Sequence, residues 1–88
     1  MRYVAIIWDL DEDPNGNVQH CAEHGVTKDE VEEVLKLAAD ADVSRSSGRP
    51  TVFGDTCAGR HLMVVFESVE PGVVYPVTAY EVPRRQRR

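Results

Sequence analysis

The sequence predicts an α+β fold, a small and mostly antiparallel sheet with two helices packed on one face, in the order β-α-α-β-β-β. Three observations carry that prediction. A β-branched and aromatic run occupies residues 2–9, two helical patterns joined by a glycine and a capping box follow, and three strand-like runs separated by short turn signals close the chain. With 88 residues the chain makes one small domain and no more. That domain is expected to span residues 1–83, with residues 84–88 as a basic tail expected to be disordered.

In the first run Tyr3, Ala5 and Ile7 fall on one face and Val4, Ile6 and Trp8 on the other. Both faces are apolar, which predicts a central strand with Trp8 in the core. The same run is closed at once by acidic residues and lacks a small-residue cleavage site, so it reads as a strand and not as a signal peptide. Asp13-Pro14 then reads as an N-cap followed by proline at the first helical position. Val18, Cys21 and Ala22 sit at i, i+3 and i+4 and predict one apolar face on a short helix ending near His24-Gly25. Gly25 suits the left-handed position after a helix.

Thr27-Lys28-Asp29-Glu30 is a capping box, with Val26 and Val31 at the staple positions around it. The second helix is predicted to run to about Ala39. It buries Val31, Val34, Leu35 and Ala38 and turns Lys28, Asp29, Glu32, Glu33 and Lys36 outward. Residues 40–50 are small, polar and broken by Gly48 and Pro50, which marks a loop. Residues 51–56, 61–68 and 73–82 read as three strands joined by short hairpins. Pro76 cannot donate to a ladder, so its strand must be at an edge there or carry a bulge.

Composition bounds function. Hydrophobic residues at 42% and charged ones at 28% are ordinary for a soluble chain, and no apolar run approaches the roughly 20 residues of a membrane span. The expected compartment is the cytoplasm, where Cys21 and Cys57, too few for a disulfide framework, are expected to be free thiols. Arg84, Arg85, Arg87 and Arg88 contribute +4 to a net charge of −5, so the rest of the chain carries −9. An acidic body repels a polyanion, so any RNA contact has to be local.

No Ser-His-Asp arrangement, phosphate-binding glycine loop, dinucleotide fingerprint or CxxC pair is present, which argues against a small-molecule enzyme. Asp11-Glu12-Asp13-Pro14-Asn15-Gly16 begins like a calcium loop, but the twelfth position is Ala22 where a bidentate Glu is needed. His20 and His24 share a helix face without a third ligand nearby. No metal and no cofactor are implied. The stretch Ser44-Arg45-Ser46-Ser47-Gly48-Arg49 has two guanidinium groups and three hydroxyls, a composition suited to a phosphate or to a plain polar loop.

The Trp8-Asp9 pair, the Glu23-His24-Gly25-Val26-Thr27 junction with Glu30, the Gly59-Arg60-His61-Leu62-Met63-Val64-Val65 hairpin and the closing Val77-Thr78-Ala79-Tyr80 resemble BrnT-type toxins. These belong to the RelE/ParE-like class of type II toxin–antitoxin systems. The resemblance implies a cytoplasmic, metal-independent endoribonuclease neutralised by a cognate antitoxin, touching DNA only through that antitoxin. Two positions depart from the family pattern: Glu23 stands where Lys is typical, and Tyr80 where Arg is typical.

Cleavage of RNA by its own 2′-hydroxyl needs a proton acceptor, a proton donor for the leaving 5′-oxygen, and positive charge against the phosphorane. The candidate catalytic residues are His24, Arg60 and Tyr80. Arg45, Arg49 and His20 are the candidate substrate-binding residues. The alternative is a catalytically silent member of the fold, binding a protein partner through a sheet edge or the basic tail.

Overall fold

In the computed structural model, which describes residues 5–37, 44–46 and 49–83, five strands form one sheet in the order β1-β5-β4-β3-β2. The elements are β1 (Ala5–Ile6), α1 (Asn17–Glu23), α2 (Lys28–Leu37), β2 (Ser44–Ser46), β3 (Arg49–Asp55), β4 (His61–Glu70) and β5 (Val73–Glu81). The predicted α+β class, mostly antiparallel with both helices on one face, is what is found. One strand is added: the order is β-α-α-β-β-β-β.

Local sequence accounts for most of this. At the end of α1 the Val26 amide donates to Cys21 O (3.0 Å) and the Gly25 amide to Ala22 O (2.9 Å), a Schellman pair closed by Gly25 at φ +75°. In the capping box the Glu30 amide donates to Thr27 Oγ1 (3.2 Å) and the Thr27 amide to Glu30 Oε1 (3.1 Å). Val26 and Val31 are both buried beside it. Glu70-Pro71-Gly72-Val73 joins β4 to β5 as the Pro-Gly sequence of a type II turn requires, with Gly72 at φ +81°.

One core lies between the helices and the sheet. Val31, Val34 and Leu35 of α2, Cys21 of α1, Val52 of β3, Leu62, Val64 and Phe66 of β4, and Val74 and Ala79 of β5 fill it, with Ile6 and Trp8 packed at its margin. Fully burying each such aliphatic side chain contributes roughly 1.5–3 kcal/mol. Trp8 also donates from Nε1 to Glu32 Oε2 (2.8 Å), so its polar end is satisfied. Gly54 lets α2 approach β3: a Cβ there would stand 3.0 Å from Val34 Cγ1.

Four expectations need correction. β1 is an edge strand, paired in parallel with β5 through Ala5↔Val73 and Ile6↔Val74. The antiparallel strands joined by short turns occupy each other's inner edges, which leaves β1 only the outer side of β5. Its second face therefore stays open, with Ile7 37% exposed. The helix does not start at Asp13-Pro14, because Asp13 Oδ1 instead accepts from the Asn15 amide in a local turn (2.9 Å). α1 begins at Asn17, after Gly16 as N-cap. Its predicted apolar face narrows to Cys21, since Val18 is half-buried and Ala22 exposed.

Finally, residues 40–50 are not all loop. Ser44–Ser46 pairs with β3 as an antiparallel edge strand, which extends β3 back to Arg49. Ala38 and Ala39, the tail at 84–88 and residues 1–4 lie outside the described residues. Pro76 meets a bulge, as one of its two predicted settings: Val65 pairs with Thr78 and Phe66 with Pro76, leaving Val77 extra. No helix among the described residues is long and apolar enough to cross a membrane.

Asn17 joins the three elements at the bulge. It is 1% exposed; its Nδ2 donates to Ile7 O (3.0 Å) and Pro76 O (2.9 Å), and its Oδ1 accepts from the Asp9 amide (2.9 Å). Asp9 Oδ2 in turn accepts from the Asn17 amide (3.0 Å) and from the Tyr75 hydroxyl (2.5 Å). Gly16 has no alternative here, since a Cβ would stand 2.7 Å from that of Asp9.

Asn17→Ala leaves two carbonyls and an amide without their partner, so we expect about 2–4 kcal/mol of destabilisation. A urea unfolding midpoint equal to wild type would contradict this role. The Asp9 bond, with burial, pushes the Tyr75 phenol up to about 12, above its unfolded value. A raised folded pKa adds stability that is complete below about pH 10 and is lost as pH rises toward 12. Tyr75→Phe should flatten that alkaline loss, read as urea midpoints against pH.

Candidate functional site

The junction between α1 and α2 faces the end of the β3–β4 hairpin, and the predicted catalytic residues gather there. His24 is the C-cap of α1, held by its amide to Cys21 O (3.0 Å). Its ring lies against Tyr80 of β5, with centroids 5.1 Å apart and planes inclined by 52°. Arg60 precedes β4, its amide donating to the buried Thr56 hydroxyl (3.2 Å), and its Nη2 lies beside Gly25, 4.0 Å from where a Cβ would stand. Gly25 thus serves both the backbone stop and the approach of the guanidinium.

Arg60 is an engaged cation. Its Nη1 donates to both oxygens of Glu30 (2.8 and 2.7 Å) and its Nε to Glu81 Oε1 (3.3 Å). The Glu30 bond, ahead of the weaker Glu81 contact, raises the Arg60 pKa further. Burial works to raise Glu30, but the Thr27 amide and Arg60 outweigh it and hold the carboxyl below its ordinary range. One positive charge between two negative ones leaves the cluster at −1. An incoming phosphate therefore competes with carboxylates already in place.

The strand pleat divides the group. Successive residues of β5 leave on opposite faces, and Glu81 is bound to Arg60 on the helix side. Tyr80 pairs with Met63 and belongs by register to the other face, so His24 meets it around the edge of β5. β1 is paired only as far as Ile6↔Val74, so among the described residues the outer edge of β5 carries no strand at this end, β4 lying on its other side.

Two of the three predicted substrate-binding residues, Arg45 and Arg49, are not brought to this point. Arg49 opens β3 and pairs with Glu67 Oε2 (3.2 Å); the far end of that strand, next to the hairpin, is roughly 20 Å away. Arg45 lies in β2, opposite Pro50, at the distant edge of the sheet. His20 is exposed on α1, one turn before His24, and its charge helps to lower the Asp9 pKa after the Tyr75 and Asn17 bonds.

Two groups were not foreseen as partners. Glu30 was legible as half of a capping box, yet nothing local announced that the same carboxylate holds Arg60. His61, read as a plain strand residue, binds Asp55 Oδ1 through Nδ1 (2.7 Å) and lies nearly parallel to the Phe53 ring. Cys21 is a free thiol that burial pushes up to about 11, and Cys57 is an exposed free thiol. Among the described residues no three His, Cys, Asp or Glu side chains converge as metal ligands.

Compared with protein-family models, curated proteins and solved structures, the chain matches none of them.

Replacing Arg60 with Ala should raise the Glu30 pKa, followed by NMR titration of its side-chain carboxyl. The sign follows from linkage: a depressed carboxyl pKa gives stability present above the unfolded value and lost as pH falls through the folded one. The variant should therefore lose less stability than wild type on acidification from about pH 7 to 3. An unchanged Glu30 titration would show that Arg60 does not hold it.

Proposed function

We propose that this chain is the toxin of a type II toxin–antitoxin pair, a cytoplasmic endoribonuclease that works without a metal and is neutralised by a cognate antitoxin. The observation that carries the reading is the meeting of His24, Tyr80 and Arg60 at one junction, from α1, β5 and the β3–β4 hairpin. In this reading His24 takes the proton from the 2′-hydroxyl, Tyr80 donates to the leaving 5′-oxygen, and Arg60 faces the phosphorane. The resemblance to BrnT-type toxins at the Glu23-His24-Gly25-Val26-Thr27 junction supports it, as does an α+β fold that keeps the expected helix and hairpin order.

A second reading is favoured by one specific observation. Arg60 already lies between Glu30 and Glu81, and the body of the chain is acidic. A catalytically silent interaction domain would keep that cluster as a structural clamp and bind a protein partner.

The two readings separate in a cleavage assay. Purified protein should cut single-stranded RNA in the presence of EDTA, with His24→Ala and Tyr80→Phe each lowering the rate about 10²–10⁴-fold while circular dichroism is unchanged. If protein freed of any co-purifying partner cuts no RNA, or if His24→Ala and Tyr80→Phe both cut as wild type does, the silent domain is the better account.

A further inference from the structure

The three nitrogens of the Arg60 guanidinium are not used alike. Nη1 donates to both oxygens of Glu30 (2.8 and 2.7 Å), whereas Nε donates to Glu81 Oε1 over a longer 3.3 Å. Among the described residues Nη2 has no acceptor, and its neighbour Gly25 has no side chain to cover it. Nε and Nη2 share one edge of the planar group, where parallel N–H bonds suit two oxygens of a single anion. Half of that fork is taken by a carboxylate and half is unused.

The two carboxylates are held with unequal firmness. Glu30 also accepts from the Thr27 amide (3.1 Å) and its side chain is 20% exposed, so it is tied to the start of α2 as well as to Arg60. Glu81 has the single long contact, and its side chain is 55% exposed. An exposed pair of that kind is weak. The Val82 amide donates to His61 O (2.9 Å) and fixes the strand end, so the Glu81 carboxylate can leave by rotation of its own side chain.

The unused half of the fork selects the occupant. Glu81 fills one N–H with one oxygen, whereas a phosphate brings two oxygens to both N–H groups at once. The fork is also bordered by the segments that carry the two rings in contact, since Gly25 follows His24 and Glu81 follows Tyr80.

We propose that Glu81 is a displaceable guard of a phosphate site on the Nε–Nη2 edge of Arg60, holding half of the fork until a phosphate of the RNA fills both N–H groups. Glu30 stays in place and keeps the guanidinium aimed. The inference rests on the reading of this chain as a ribonuclease, and it adds to that reading a residue, Glu81, that sets how strongly the substrate phosphate is held.

The test titrates the full chain with inorganic phosphate at constant ionic strength and neutral pH, following the Arg60 Nε–Hε and Gly25 amide signals by NMR. Glu81→Gln should bind phosphate about 3- to 10-fold more tightly than wild type, because a competing oxygen and a like charge are both removed. Acetate should bind more weakly than phosphate. In an Arg60→Lys background, which keeps the positive charge and loses the fork, Glu81→Gln should leave phosphate affinity unchanged, read from the Gly25 amide. With RNA as substrate, Glu81→Gln should lower KM more than it alters kcat.

Signals that phosphate does not move, equal affinity of wild type and Glu81→Gln, a Glu81→Gln effect that persists with Lys at position 60, or acetate binding as tightly as phosphate overturns the proposal. RNA cleavage with a KM that Glu81→Gln does not alter keeps the nuclease reading and removes the guard. The expected gain in phosphate affinity without any RNA cut keeps the guarded phosphate site and removes the nuclease reading.

Discussion

The molecule depends on one buried amide. β1 ends its pairing with β5 at Val74, and just beyond, the bulge at Val77 and the proline at Pro76 interrupt the regular ladder. The carbonyl of Pro76 would be buried without a partner if Asn17 did not reach it. The same side chain binds Ile7 O and the Asp9 amide, so it acts as a short substitute for a strand. Through Asp9 it also sets where α1 begins, since that carboxylate receives the first helical amide. The start of α1 sets its Schellman end, the end sets the capping box, and the capping box places Glu30 against Arg60.

That chain of dependence explains the electrostatics of the junction. Glu30 accepts from the Thr27 amide and from Arg60 together, so the carboxylate that starts α2 also anchors the hairpin. The guanidinium is thereby positioned but largely neutralised, while His24 and Tyr80 meet each other around the edge of β5. The −9 carried by residues outside the tail makes local cations decisive for any RNA contact.

Elements governed by neighbours in sequence were legible without coordinates. The glycine stop, the capping box, the staple valines, the burial of Val31, Val34 and Leu35 on α2 and the two hairpins all rest on contacts within a few residues, and each is found. Pro76 could be read as edge or bulge because it lacks an amide in any context, and the register decides for the bulge. The start of α1 was misread because Asp13 satisfies two rules: it suits an N-cap and it suits an Asx turn. β2 was missed because Ser44-Arg45-Ser46 has no apolar pattern, and its pairing with Arg49, Pro50 and Thr51 is the work of the backbone. Of the site, the proximity of His24, Tyr80 and Arg60 was legible only through resemblance, whereas Arg45 and Arg49 were grouped with them by charge alone and lie elsewhere.

By itself, then, the amino-acid order determined the class of fold, the helix junction and the hairpins, because propensities, caps and turns act over one helical turn or one tight loop. The tertiary structure alone decided that β1 is an edge, that Asn17 and Asp9 replace a local cap, that Glu30 and Glu81 share Arg60, and that Phe53 and His61 lie side by side. These are partners 8 to 68 residues apart in the chain. No local pattern encodes them, because an edge, a buried amide or a shared carboxylate is defined by what the rest of the sheet has already paired and covered.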